Sequence, residues 1–487
     1  MFKNNKIVIG KNKENEVYIL PQMANRHGII TGASGSGKTT TVKVMAESFS
    51  SAGVAVFYVD VKGDLASICK SGEDNESINK RKELLNLDNF NYQSFPVTFF
   101  DVFRKNGHPI RTTISNIGPR LLSIMLNLSD AQEGILAIVF QIAKDEVMAL
   151  NDLGDLKSLL SYVNKNKDKY IEKYGNITSQ SVAAIQRNIL ILEQEGGINF
   201  FGKPELQLYD LFQYDYNGKG FINVLDAQEL FKKPTMYAVF LVWILNNLYN
   251  NLPEVGDLEK PKLVLFLDEA HLIFSEMTAS VVKQIIQIIK LIRSKGVGVY
   301  FISQSPSDIP DEILSQLGNK VQHVLRSYTP GDEKAIKAAA NSFRKNPDFK
   351  TEDVIKELAT GEALVSFLDE NGEPNIVQRV LILPPQSFNG TITDEMRESI
   401  IKQSRLYGKY ESEINEISAT ERTEEENKRI EKEKEAIIKA KEEEKQKAKE
   451  EEKRKKQNAK LVKQVGNKFL NKATTKVVNS IWKNLFK

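Results

Sequence analysis

Residues 32–39 read GASGSGKT, a complete G-x-x-x-x-G-K-[ST] phosphate loop directly after the apolar run Gly28–Thr31. Glycines at this spacing let successive backbone N–H groups converge on phosphate oxygens at a helix N-terminus, where the helix dipole also favours anions. Lys38 would reach the β and γ phosphates, and the Thr39 hydroxyl would hold Mg²⁺. The segment therefore predicts a nucleoside triphosphate site, whose other contacts would be Gly32, Ala33, Ser34, Gly35, Ser36, Gly37 and Thr40.

A second pattern places two carboxylates, Asp268 and Glu269, at the end of the apolar run Leu263–Leu267. An aspartate at such a strand end can hold the Mg²⁺ shell, and Asp268 is the candidate for this role. Glu269 points elsewhere and is suited to polarise an attacking water. The two acids could instead cap the following helix, but together with the phosphate loop they favour hydrolysis.

Two further motifs are open to more than one interpretation. Gln304 ends the run VGVYFISQ and could sense the γ-phosphate or cap a loop. The sequence DVKGD at positions 60–64 would lie beside the phosphate loop in a doubly wound sheet, or it could form an ordinary turn.

Composition limits the class of protein. The chain has 487 residues, more than the ~250 to 300 at which single cores stop growing, so we expect more than one module. The single cysteine, Cys69, excludes an intramolecular disulfide, and four scattered histidines give no zinc-site spacing. Without a signal sequence or a long apolar run, the protein is expected to be soluble and cytoplasmic. The net charge of +3 is too small to indicate a polyanionic partner.

Apolar runs bounded by helical patterns predict an α/β fold with a mostly parallel central sheet. Residues 1–26 should hold a hairpin formed by 6–10 and 16–20. The predicted sheet strands are Gly28–Thr31, 54–59, 221–225, Leu263–Leu267, Val297–Ser303 and 321–326, with 363–368 and 376–383 as edge extensions.

A helical insertion is predicted at residues 115–215, where apolar residues recur every three or four positions. Ser129 and Thr178 are candidate helix caps. The insertion interrupts a main domain that we place at residues 27–410.

The C-terminal part of the chain has a different composition. Residues 411–460 are rich in Glu and Lys at i,i+4 spacing, as at Glu451 and Lys455, which predicts a solvated helix or a disordered linker. Residues 461–487 contain no acidic residue and repeat an apolar residue every fourth position, which predicts a basic amphipathic helix. This tail could contact an anionic membrane, DNA or another protein subunit.

The motifs together resemble the bacterial HerA-like helicase family, within the HerA and FtsK group of P-loop ATPases. The resemblance rests on the phosphate loop, DVKGD, the sequence DEAH at 268–271, the stretch from Ile292 to Pro330, and LSDAQEGIL, and it runs from about residue 7 to 390. It implies a RecA-like P-loop core, ATP and Mg²⁺ as cofactors, and a hexameric DNA translocase.

The resemblance also implies individual roles. Lys38 and Thr39 would bind nucleotide and Mg²⁺, Asp268 the metal, Glu269 would be the catalytic base and Gln304 the sensor. Arg293 would be an arginine finger acting on a neighbouring subunit, with Arg326 as second choice.

This chain departs from the archaeal HerA pattern at both ends. The ~25 residues before the phosphate loop are too few for the N-terminal β-barrel of those proteins, and the tail is lysine-rich. An alternative function is therefore a nucleotide-switched assembly ATPase that docks a partner protein or a membrane through residues 461–487.

Overall fold

The computed structural model describes residues 1–13, 15–256, 258–275 and 277–485. The chain divides into two compact units, Met1–Ala419 and Thr420–Lys487. The first unit contains the sheet and both sequence motifs that predict chemistry.

The first unit is built on one sheet of 13 strands, counted over the described residues. In chain order the strands are β1 Phe2–Lys3, β2 Lys6–Asn12, β3 Asn15–Ile19, β4 Gly28–Thr31, β5 Ala55–Asp60, β6 Val97–Asp101, β7 His108–Pro109, β8 Ile222–Asp226, β9 Leu263–Leu267, β10 Val297–Ser303, β11 Asn319–Gln322, β12 Glu362–Ser366 and β13 Gln378–Ile382. Their spatial order is β1-β2-β13-β12-β11-β4-β10-β9-β5-β8-β6-β7, and β3 pairs with β2.

The strands from β11 to β7 pair in parallel, whereas β12, β13 and the N-terminal strands pair antiparallel. Every residue of β4, β5, β8, β9 and β10 is buried, because helices cover both faces of a parallel sheet. This burial explains why these strands read as uninterrupted apolar runs. The register Ser303↔Thr31 brings the ends of β10 and β4 side by side, at the edge where the phosphate loop begins.

Helices connect the strands. They are α1 Lys38–Ser51, α2 Glu76–Leu84, α3 Ile114–Met125, α4 Asp130–Asp145, α5 Leu153–Lys165, α6 Lys167–Tyr174, α7 Ser179–Leu192, α8 Ile198–Phe200, α9 Pro234–Asn251, α10 Ala270–Ser275, α11 Ala279–Ile292, α12 Asp311–Leu314, α13 Pro330–Asn341, α14 Thr351–Glu357, α15 Asp394–Gln403 and α16 Ala419–Leu485. Helices α3 to α8 lie between β7 and β8, and α4 begins with a capping box at Ser129, as the sequence suggested.

The predicted fold class is confirmed: an α/β protein with a mostly parallel sheet, a helical insertion and a charged C-terminal helix. Two parts of the strand prediction were wrong. The strands β1, β6 and β7 were not predicted, and β6 (Val97–Asp101) lies between β8 and β7 in the sheet. The strand predicted at 321–326 ends at Gln322, because the chain then turns over the phosphate loop, where Val324 O accepts the N–H of Ala33 at 2.9 Å.

The helix α16 is continuous over 67 residues, so no break separates the Glu/Lys-rich part from the basic tail. The predicted pair Glu451–Lys455 is formed at 3.1 Å, and Glu452–Lys456 forms a further i,i+4 pair at 2.7 Å. Leu461, Val465 and Phe469 are exposed, and the predicted apolar positions Ile481 and Leu485 fall among residues whose side chains are not described. Among the described helices, none combines the length and apolar character that a bilayer span requires.

Candidate functional site

The phosphate loop joins the end of β4 to the start of α1 and is shaped by glycines. Gly32 and Gly37 have φ values of 151° and 111°, and an added Cβ at Gly32 would lie 2.5 Å from the Cβ of His323. At Gly37 an added Cβ would lie 3.2 Å from the backbone nitrogen of Gly361. The loop therefore needs glycine at both positions, because the conformation and the close neighbours exclude a side chain.

Lys38, the first residue of α1, folds back over this loop. Its Nζ donates to the carbonyl oxygens of Gly32 at 2.5 Å and Ala33 at 3.1 Å. Burial lowers the pKa of Lys38, with a further contribution from the charge of Lys62. The ammonium thus lies at the helix N-terminus, where phosphate groups bind in such loops.

A group of hydrogen-bonded polar side chains packs against the phosphate loop. His323 Nδ1 donates to the carbonyl oxygen of Glu362 at 2.8 Å, and its Nε2 lies 2.9 Å from the Thr41 hydroxyl, which donates to it. Burial lowers the pKa of His323 to about 4, so the ring is neutral at pH 7. Next to it, the Thr31 hydroxyl donates to the side-chain oxygen of Gln322 at 2.7 Å.

Asp268 follows β9, two strands away from the phosphate loop in the sheet. Its Oδ1 accepts the backbone N–H of Glu269 at 2.9 Å, and its Oδ2 accepts the Tyr58 hydroxyl at 3.3 Å. Burial, together with the charge of Glu269, raises the pKa of Asp268 to about 6. At pH 7 this carboxylate is mostly ionised and available to a cation.

Glu269 adopts the left-handed region at φ 48°, which is rare for a residue with a side chain. Its Oε1 lies 2.5 Å from Lys62 Nζ. Its Oε2 is buried and has no hydrogen-bond partner among the described residues, although His271 Nδ1 lies 3.2 Å away. One oxygen is therefore held by a cation and the other is left to accept a proton.

The DVKGD segment combines both interpretations of its sequence. The Asp60 carboxylate accepts the N–H groups of Gly63 at 2.8 Å and Leu65 at 3.0 Å, so it shapes a turn. Lys62, in the middle of that turn, reaches Glu269 because β5 and β9 are neighbours. Sequence reasoning missed Lys62 as a site residue, and the only signal was a lysine in a turn that follows a buried strand.

The three remaining candidates, Gln304, Arg293 and Arg326, lie in different places. Gln304 is exposed directly after β10, at the edge where the phosphate loop begins, and Arg326 is exposed four residues after β11 at the same edge. Arg293 lies in the turn before β10, at the opposite edge, near His27. The fold therefore keeps Arg293 away from the phosphate loop of its own chain, and the roles of all three stay predictions.

The residues that could hold Mg²⁺ are the Thr39 hydroxyl and the Asp268 carboxylate. Among the residues that the structure describes, no group of three or more His, Cys, Asp or Glu side chains could hold a metal ion by itself. A hydroxyl and a carboxylate supplemented by phosphate oxygens form the all-oxygen set that Mg²⁺ prefers. The donor types thus fit a metal that arrives with the nucleotide.

Comparisons with known proteins find matches over most of the chain. The Helicase HerA-like C-terminal family model matches residues 5–487. The DNA double-strand break repair helicase HerA of Sulfolobus acidocaldarius is 22% identical over 392 residues, which cover 79% of this chain and 69% of the relative.

Solved structures share the fold. VirB4 of Thermoanaerobacter pseudethanolicus has a TM-score of 0.50 at 16% identity, covering 82% of this chain and 99% of VirB4. The plasmid coupling protein TrwB in complex with the non-hydrolysable GTP analogue GDPNP also scores 0.50, at 14% identity, covering 78% of this chain and 92% of TrwB.

Proposed function

The chain belongs to the Helicase HerA-like C-terminal family, and from this premise we propose that it is an ATP-hydrolysing motor that acts on duplex DNA as a ring of identical subunits, with six as the expected number. One observation carries the hydrolytic part of the proposal. A buried glutamate, one of whose oxygens has no hydrogen-bond partner among the described residues, lies next to the carboxylate that would bind Mg²⁺, on the edge of the sheet that also carries the phosphate loop. The relative named as a DNA repair helicase supports DNA as the substrate.

The proposed reaction assigns a role to each residue. Glu269 Oε2 takes a proton from a water molecule whose oxygen bonds to the γ-phosphorus, while the bond from that phosphorus to the β–γ bridging oxygen breaks. Lys38 and the loop N–H groups stabilise the negative charge on the phosphates. Mg²⁺, held by Thr39 and Asp268, would neutralise charge on the β and γ oxygens.

The direct test is ATP turnover by the full chain with and without duplex DNA at low salt. Turnover should rise with DNA and lose that stimulation as salt increases, because phosphate contacts release counterions. Lys38→Ala and Glu269→Gln should abolish turnover, whereas Lys80→Ala, at an exposed position of α2, should leave it unchanged. Turnover that ignores DNA at low salt would contradict the motor function, and turnover that survives Glu269→Gln would contradict its role as base.

A second candidate is an assembly ATPase whose nucleotide state controls a partner protein or membrane bound by residues 461–487. The observation in its favour is the row of exposed apolar side chains among lysines in α16. It predicts slow hydrolysis and nucleotide-dependent capture of a partner or of anionic vesicles.

Truncation of the chain distinguishes these two functions if the truncated protein keeps the whole first unit. Residues 404–419 belong to the first unit: Arg111 donates to Tyr410 O at 2.7 Å, and His108 pairs with Glu411 at 2.6 Å. A chain ending at Ala419 should therefore keep its basal ATPase activity. If it also keeps full stimulation by DNA, the tail is not the DNA-binding element, and if it loses only capture, the second function gains support.

A further inference from the structure

The ion pair between Lys62 and Glu269 differs from an ordinary surface ion pair, because one of its two partners is buried. The Glu269 carboxylate is only 9% exposed, whereas the Lys62 side chain is 47% exposed. A buried carboxylate is costly to leave unpaired, so the lysine compensates the catalytic acid from the solvent side. The ion pair therefore joins a buried carboxylate to a side chain that is half-exposed to solvent.

Lys62 also belongs to the same electrostatic cluster as Lys38. After burial, the charge of Lys62 is the next cause that lowers the pKa of Lys38, and Asp268 and Glu269 act on both lysines. Burial acts against protonation of Lys62, but its hydrogen bond to Glu269 and the charge of Asp268 together raise its pKa, so it is charged at pH 7. Two ammonium groups and two carboxylates thus influence one another, and the Lys62–Glu269 ion pair is the direct contact among them.

The donor capacity of Lys62 exceeds what the protein uses. An ammonium has three N–H donors, and among the described residues Glu269 is its hydrogen-bond partner. The other two donors are available to an anion beside this half-exposed side chain. A phosphate oxygen is the anion that the adjacent loop would bring there.

We propose that Lys62 is a second phosphate-binding lysine, which joins the γ-phosphate of bound ATP to Oε1 of Glu269 and so orients Oε2 toward the attacking water. The inference rests on the proposed ATP hydrolysis at this site. Its consequence is that the base is oriented by ATP but not by ADP, since ADP offers no γ-phosphate. Lys62 would thereby discriminate the two nucleotides by contact.

The test compares Lys62→Met, Lys62→Arg and the surface control Lys80→Met in the full chain. For each variant we would measure DNA-independent ATP turnover, and the Kd values of Mg²⁺–ADP and of a Mg²⁺-bound non-hydrolysable ATP analogue. Loss of a charge-assisted contact should raise the Kd of the ATP analogue ~10-fold or more in Lys62→Met and leave that of ADP unchanged. Turnover should fall at least as far, and Lys62→Arg should restore part of both.

Each other result contradicts the proposal. A fall in turnover with an unchanged ratio of ATP-analogue to ADP affinity would make Lys62 a positioning residue only. Equal loss of both nucleotides in Lys62→Met and Lys62→Arg would indicate a role in folding. Unchanged turnover in Lys62→Met would contradict the proposal. Failure of the wild type to bind or hydrolyse ATP would instead contradict the proposed function, so the two failures are distinguishable.

Discussion

Individual residues in the first unit are held by contacts that leave little freedom around the phosphate loop. The loop backbone at Gly32 lies directly against His323, which is itself fixed by hydrogen bonds at both ring nitrogens. Because the ring is neutral, it supports the loop without adding charge beneath the phosphates. The contribution of His323 to the loop conformation is therefore steric. Substitution of Gly32, which it contacts, should test this contribution.

Gly32→Ala should weaken nucleotide binding far more than Gly35→Ala. Both glycines have positive φ, but the new methyl group at Gly32 would meet the Cβ of His323 at 2.5 Å, whereas Gly35 has no neighbour within 4 Å. Titration of each variant with a fluorescent ATP analogue measures the difference. Equal losses would mean that backbone strain alone, and not contact with His323, sets the requirement.

Asp60→Asn should change how stability depends on pH. Burial raises the folded-state pKa of Asp60 to about 7, well above its ordinary value of 3.8, so the folded chain keeps a proton that the unfolded chain releases. The stability contributed by Asp60 is therefore lost as pH rises from about 4 to 7. Asparagine has no such proton, so the Tm of the wild type should fall relative to that of Asp60→Asn across this range. The exposed substitution Asp88→Asn serves as control, and a Tm difference independent of pH would contradict the expectation.

The sequence indicates those site residues whose roles depend on local pattern. A recognisable sequence motif that follows a strand contains each of Lys38, Asp268 and Glu269. Lys62 and His323 enter the site through contacts with residues 207 and 282 positions away along the chain, and no local pattern encodes such pairs. They depend on which strands become neighbours, which only the folded sheet decides.

At the scale of elements, α9 lies between the helical insertion and the two carboxylates that follow β9. Glu195, between α7 and α8 of the insertion, accepts the Thr235 hydroxyl at 2.9 Å and the Met236 N–H at 3.0 Å in the first turn of α9. The next residue, Tyr237, is buried, and the charges of Asp268 and Glu269 help to raise its pKa, after burial as the main cause. The insertion is thus attached to the helix that passes behind the site.

Glu195→Ala should destabilise the protein by about 1 kcal/mol, since it removes a carboxylate that satisfies free donors at a helix N-terminus. The expected sign is a lower Tm than that of the wild type. Glu172→Ala removes an exposed glutamate from α6 and should leave Tm unchanged. An unchanged Tm in Glu195→Ala would show that α9 does not need this cap.

Strand prediction succeeded where burial on both faces imposes an apolar run, as in β5, β9 and β10. It failed for β6, where the run Val97–Asp101 is equally buried but follows a polar segment, inside a long stretch dominated by helical patterns. It also placed β11 too far along the chain, because the apolar residues Val324 and Leu325 pack with α13 and α14 rather than in the sheet. An apolar run indicates that a segment is buried, but it does not show whether that segment lies in the sheet or packs among helices.

At the scale of the whole molecule, Arg293 lies at the edge of the sheet opposite the phosphate loop. A finger at this place cannot serve its own chain, so its proposed role requires a neighbouring subunit. Hydrolysis would then depend on assembly, with a contribution of ~10³ to 10⁵ in rate from such an arginine.

Mixing two inactive variants tests this shared site. Lys38→Ala and Arg293→Ala should each be inactive alone, but mixed rings should recover activity at boundaries that join an intact Lys38 to an intact Arg293. Random mixing in equal amounts makes roughly a quarter of the boundaries complete. ATP turnover after subunit exchange measures the recovery. No recovery, although mass measurement shows mixed rings, would exclude Arg293 as the finger and direct attention to Arg326.

The hydrogen bond from the Glu269 amide to Asp268 Oδ1 couples the positions of the two acids. The side chain expected to bind the metal restrains the backbone that carries the base, at a residue already in the left-handed conformation. Rotation of the Asp268 carboxylate would therefore move the Glu269 peptide. The orientation of the proposed metal ligand and the position of the proposed base are then set together.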